Sequence, residues 1–116
     1  MEFLSDEKNY PVYFHCLGGA DRTGMLAMYL RAIAGESDED ILIDYELTSL
    51  SNYAYGLTEG VGALGFRQRN ANYFVSFMKE LNKYSGETLS EKIVNFIIDC
   101  GVQPETIEKI RMIILK

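Results

Sequence analysis

The stretch Pro11-Val12-Tyr13-Phe14-His15-Cys16-Leu17-Gly18-Gly19-Ala20-Asp21-Arg22-Thr23-Gly24 decides how this chain is read. From Pro11 to Cys16 it is a run of aromatic and β-branched residues, which predicts a short buried strand. Tyr10-Pro11 marks the start, because the residue before a proline avoids the helical region. Gly18 and Gly19 break the run and permit a sharp turn. From Arg22 the period becomes helical: Met25, Leu26, Met28, Tyr29, Leu30 and Ile33 make a wide apolar face that stops at Gly35.

Strand, glycine turn and helix together build an anion cradle. The N–H groups of the turn, from Leu17 through Gly18, Gly19, Ala20, Asp21 and Arg22, line it, and the helix N-terminus adds its positive dipole. Arg22 closes the loop, and its planar guanidinium can hold two oxygens of one phosphate where lysine cannot. Cys16 opens the loop, where that positive potential favours the thiolate, the nucleophilic form. Cys16 alone would read as a small buried residue at a strand end. With Arg22, Thr23 and the glycines at these offsets it reads as a nucleophile. Thr23 can donate to the thiolate, and His15 fixes the loop by hydrogen bonding in preference to moving a proton. Asp21 has two readings that the residues leave open: a loop-stabilising or capping role, or a general acid.

The remainder of the chain reads as helix. Ser37-Asp38-Glu39-Asp40 is a helix start, continued by Ile41, Leu42, Tyr45, Leu47 and Leu50. Residues 51–66, with Gly56, Gly60, Gly62 and Gly65, read as a surface loop, and the neighbouring Arg67 and Arg69 as a solvated pair. A helix over Gln68 to Tyr84 carries Tyr73, Phe74, Phe77, Met78 and Leu81 on one side. Thr88-Leu89-Ser90-Glu91 has the pattern of a capping box. Ile93, Phe96, Ile97 and Cys100 follow it at helical spacing up to Gly101, with Cys100 read as core, and Pro104 opens a last helix to Leu115. The lone strand needs partners. Either residues 1–10 supply a weak second strand, or the partners come from sequence outside this chain.

The 116 residues suit one domain, with 47% hydrophobic and 24% charged residues. A net charge of −6 and a pI near 4.7 argue against a nucleic-acid partner. They do not exclude a small positive pocket. The two cysteines make no disulfide framework, which favours a reducing compartment. No apolar run approaches a membrane span and the N-terminus is unlike a secretory signal, so the expected location is cytoplasmic by default. Neither a metal nor another cofactor is expected.

His15-Cys16, five residues, then Arg22-Thr23 resembles the signature of the protein tyrosine phosphatase superfamily. Gly19 and Asp21-Arg22-Thr23-Gly24 are most similar to the bacterial tyrosine/dual-specificity phosphatases, a branch that includes lipid-phosphate hydrolases. The resemblance implies Cys16 as the nucleophile that forms a cysteinyl-phosphate and Arg22 as the phosphate clamp. In that branch an Asp directly before the Arg has been proposed as general acid, which is the place of Asp21. The branch often carries Lys where Ala20 stands, which weakens any inference of phosphoinositide preference. The Tyr73-Phe74 helix, the Thr88–Gly101 helix and the terminal Pro104–Leu115 helix resemble the C-terminal half of these phosphatases. Family members carry several strands and an upstream loop before the His-Cys strand, whereas 14 residues precede His15 here. Other loops fail on single residues: a Walker A loop needs Lys where Met25 follows Gly24, and RNA triphosphatases favour Asn at the place of Asp21.

The expected fold is therefore α/β and helix-dominated, with one core strand leading into a phosphate-binding loop at 15–24 and about five helices after it. It is like the C-terminal part of a tyrosine phosphatase domain, in a single partial domain over 1–116. The expected function is hydrolysis of a phosphate monoester. The substrate is a phosphotyrosine protein, with phosphoserine, phosphothreonine or a phosphoinositide as further candidates. The alternative is a phosphate-binding fragment without turnover, or one half of a split enzyme. The unpaired strand edge allows a homodimer.

Overall fold

The computed structural model describes residues 1–17, 19, 21–54 and 71–116, with the backbone alone for 48–54 and 71–73. Helices α1 (Arg22–Ala34), α2 (Asp38–Ala54), α3 (Ala71–Leu81), α4 (Leu89–Asp99) and α5 (Pro104–Ile114) carry the fold. Two 3-10 turns, Glu2–Ser5 and Glu7–Asn9, precede them. Of the expected loop at 51–66, residues 51–54 belong to α2. Its remainder, Arg67, Arg69 and the start of the Gln68 helix lie outside the described residues, as does the Tyr73 side chain.

The core follows from α1. This helix is apolar on most of its circumference, and such a helix must be covered on several sides. It packs against α2, α4 and α5. Met28, Ala32 and Ile33 are almost completely buried there, together with Ile41, Leu81, Ile93 and Ile110 from the surrounding helices. A second, partly exposed cluster forms around Phe96, which Tyr29, Phe77 and Tyr84 meet at ring-centroid distances of 6.1, 5.6 and 5.6 Å.

Helix ends obey their local chemistry. α1 stops where Gly35 turns left-handed, and the Glu36 N–H donates back to the Arg31 carbonyl at 3.1 Å. The Ser37 hydroxyl accepts from the Asp40 N–H at 3.2 Å at the start of α2. At α4, Thr88 Oγ1 accepts from the Glu91 N–H at 3.2 Å, and the Glu91 carboxylate accepts in return from the Thr88 N–H at 3.3 Å. The two helix starts are also tied to each other. Asp38 Oδ1 accepts from the Leu89 N–H at 2.8 Å, and Ser90 Oγ donates to the Glu36 carbonyl at 2.7 Å. Arg31 reaches from α1 to Glu36 and to Asp44 on α2. Burial works against its charge, but these two carboxylates outweigh it and hold the guanidinium pKa above its usual value.

Two expectations are corrected. First, the fold is not α/β: among the described residues there is no strand and no sheet. Residues 12–16 take no regular secondary structure between bends at Pro11 and Leu17, with Val12, Phe14 and Cys16 half-buried and Pro11, Tyr13, His15 and Leu17 exposed. That period of two is the geometry of a strand. A strand, however, exists only through its hydrogen-bond ladder, and the Val12–Phe14 backbone makes no hydrogen bond among the described residues. Residues 1–10 supply no partner, because they fold into the 3-10 turns. The helix-dominated part of the expectation holds. Second, Cys100 is not core. It follows the last residue of α4, where the chain turns away at Gly101, and it is exposed. On α2 the buried side carries Ile41, Tyr45 and Glu46, while Leu47 is 48% exposed.

The central place of α1 has a measurable consequence. Ile33→Ala opens a cavity among residues that cannot collapse into it, so it lowers unfolding free energy by about 2–5 kcal/mol. Urea unfolding followed by circular dichroism checks this, with an unchanged slope against urea as the companion result.

Candidate active site

The signature begins on the segment before the turn, at His15 and Cys16. Its inward side holds it to the helices: Val12 packs on the core, and Phe14 lies over a groove lined by Ala27, Leu30 and Ala34 of α1. This leaves Cys16 half-buried at the end of the segment, directly before the turn. His15 points out, its ring centroid 5.7 Å from that of Tyr13. Its Nδ1 stands 3.4 Å from the Cys16 carbonyl, a weak bond at most when that nitrogen carries the proton.

The turn itself needs glycine. Gly19 has φ +66°, in the left-handed region, and a Cβ there would meet nothing. Conformation and not crowding therefore requires glycine at this position. Leu17 is 95% exposed beside it, so its contribution to an anion site comes from its backbone. Gly18 and Ala20 lie outside the described residues.

The turn delivers the chain to the N-terminus of α1. Asp21 takes the N-cap position, half-buried, but its backbone is already helical (φ −82°, ψ −76°) and its side chain makes no capping bond. Capping is thus not its role here, which leaves loop stabilisation and acid chemistry. The first-turn N–H groups of a helix have no intrahelical acceptors, and no capping side chain takes them here. Arg22, the first helical residue, is exposed, and among the described residues it makes no ion pair or hydrogen bond. Its guanidinium is available to an oxyanion. Thr23 follows with its Oγ1 buried and unbonded. The expected bond from this hydroxyl to Cys16 is not formed in this structure, yet a buried donor stands behind the loop.

In the sequence Gly24 stands only as the last residue of the motif. Its position inside the first turn of a helix is unusual, since glycine costs a helix interior about 1 kcal/mol relative to alanine. The structure supplies the reason. A Cβ on Gly24 would lie 3.1 Å from Cε2 and 3.2 Å from Cδ2 of Tyr45 on α2. The Tyr45 ring is stacked in turn on Phe74 of α3, with centroids 4.4 Å apart and planes 14° apart. Glycine at a helical position was the one signal from which this contact could have been inferred.

A half-buried Cys16, a left-handed Gly19, a helix start that the Asp21 side chain does not cap and an Arg22 without an ion pair among the described residues suit a phosphate group. A model of the tyrosine phosphatase family matches residues 1–116. The chain belongs to the tyrosine phosphatase family. No curated protein and no solved structure matches it. Membership supports a phosphatase, a hydrolase by class. Among the described residues no cluster of metal-ligating side chains forms, and no helix is long and apolar enough to cross a membrane.

The unbonded Thr23 hydroxyl makes a direct prediction. A buried, unsatisfied donor costs about 1–3 kcal/mol. Thr23→Val keeps the shape and removes that donor, so the ligand-free protein gains roughly 1 kcal/mol or more in chemical unfolding. A loss of the same size would show that the hydroxyl has a partner.

Proposed function

We propose that this chain is a phosphate-monoester hydrolase that works through a Cys16 thiolate. The observation that carries the reading is the open N-terminus of α1, which joins Arg22 to a turn that begins at Cys16. An oxyanion placed there accepts hydrogen bonds from the turn and from the guanidinium, and the helix dipole favours its charge. Phosphoryl transfer asks little more of a protein than positioning and charge stabilisation.

In the first step the Cys16 sulfur donates an electron pair to phosphorus and the P–O bond to the leaving group breaks. The leaving oxygen keeps that bond pair and takes a proton from Asp21. In the second step water attacks phosphorus, the P–S bond breaks and its electrons return to sulfur. Asp21 accepts a proton from the water, and inorganic phosphate leaves. Arg22 stabilises the equatorial oxygens in both steps. The Thr23 hydroxyl, buried without a partner, donates to the departing thiolate in the second step. The substrate class that fits this reading is a phosphotyrosine protein. Ala20 provides no cation for a multiply phosphorylated lipid head group.

Hydrolysis of p-nitrophenyl phosphate tests the reading. Cys16→Ser abolishes turnover. Arg22→Lys lowers kcat/KM by about two to three orders of magnitude, the loss typical of a removed transition-state donor. A Cys16→Ser protein that still turns over would exclude the covalent mechanism. The acid assignment has its own signature. Asp21→Asn slows an alkyl phosphate, whose leaving oxygen needs a proton, far more than p-nitrophenyl phosphate, which departs as a stabilised anion. Equal slowing of both substrates would remove Asp21 from the acid role.

A further inference from the structure

Tyr45 lies on α2, far from the signature in sequence, and is 4% exposed. The edge of its ring occupies the space that a side chain at Gly24 would take, with 3.1 and 3.2 Å to the place of a Cβ. Phe74, 1% exposed, is stacked on the same ring and covers its face. A ring buried and close-packed in this way has little room to give the few tenths of an ångström that a side chain at position 24 would require. The Tyr45 ring therefore links the first turn of α1 to Phe74 of α3 across α2.

We infer that Tyr45 is a positioning residue for the phosphate loop. Its ring, backed by Phe74, fixes the first turn of α1 through the gap that Gly24 leaves. The turn carries Arg22 and the N–H groups that face the loop, so fixing the turn sets the field at Cys16. The inference rests on the reading of residues 15–24 as an oxyanion loop. The physical stake is large for a small displacement. The field of a helix end fades within one turn, and a shift of about 1 Å at a reacting group can cost a hundredfold in rate. The contact also accounts for the glycine, because any other residue at 24 would push the ring or move the turn.

The test reads the Cys16 thiol directly. In a Cys100→Ser background Cys16 is the only cysteine, and the pH dependence of its alkylation by iodoacetamide gives its pKa. The parent protein should show a midpoint below the ~8.5 of a free thiol. Tyr45→Leu and Gly24→Ala should each raise that midpoint by roughly one unit toward the free-thiol value. Both should lower kcat on p-nitrophenyl phosphate by about ten- to a hundredfold. Tyr45→Phe, which keeps the ring, should restore the parent midpoint. Circular dichroism at the assay temperature selects folded variants, and a purely structural role would lower the melting temperature without moving the midpoint. A folded Tyr45→Leu or Gly24→Ala protein with the parent midpoint would overturn the inference. So would a Tyr45→Phe midpoint displaced as far as that of Tyr45→Leu, since the hydroxyl and not the ring would then be acting. If the midpoint is depressed and moves as described but the parent hydrolyses nothing, the phosphatase reading falls and the positioning role stands. A parent midpoint at ~8.5 defeats both.

Discussion

The first turn of α1 presents N–H groups that no residue of the helix can accept, and the Asp21 side chain at the N-cap leaves them uncapped. Most helix starts resolve this demand with a Ser, Thr or Asp side chain, as Ser37 and Thr88 do for α2 and α4. The contrast within one chain is informative, because the means of capping were at hand. Leaving α1 without such a cap keeps the positive end of its dipole at Arg22, the first residue of the helix. The chain is otherwise acidic, with a net charge of −6, so this end is a local reversal of the overall field.

An open helix end is useful only if it stays in place. The burial of α1 provides for that along its length, through Met28, Ala32 and Ile33. Arg31 and the Arg111 Nε–H donated to the Ile33 carbonyl at 2.7 Å hold its far end to α2 and α5. At the near end the same task falls to Gly24 and Tyr45. The molecule thus anchors the helix along its length and at both ends. Stability and chemistry are joined in one element: the residues that bury α1 also determine where its dipole points.

Much of this was legible in the sequence where the cause was local. Gly35 as the stop of α1, the Thr88–Glu91 capping box and Pro104 at the head of α5 depend on residues a turn apart, and the structure places them as read. The glycine turn was also legible, since the left-handed φ of Gly19 is a property of one residue. What failed depended on residues distant in sequence. Pro11 to Cys16 has strand composition and strand alternation of burial, but a sheet needs a second chain segment alongside, and composition cannot provide it. Cys100 kept helical spacing from Phe96, yet the helix ended before anything could cover it. On α2, spacing alone could not tell that Glu46 would be buried and Leu47 exposed, because the neighbours of α2 decide which side is inside. The Tyr45–Gly24 contact belongs to the same class, as it joins two helices and only its glycine half leaves a trace in the local pattern.

The central claim is that Cys16 carries the phosphoryl group, and an acid quench of the protein during turnover of p-nitrophenyl phosphate, followed by peptide mass spectrometry, tests it most directly. The account requires a single phosphate adduct on the peptide that contains Cys16 and none on the peptide that contains Cys100. Steady turnover with an unmodified Cys16, or with phosphate on another residue, would contradict it.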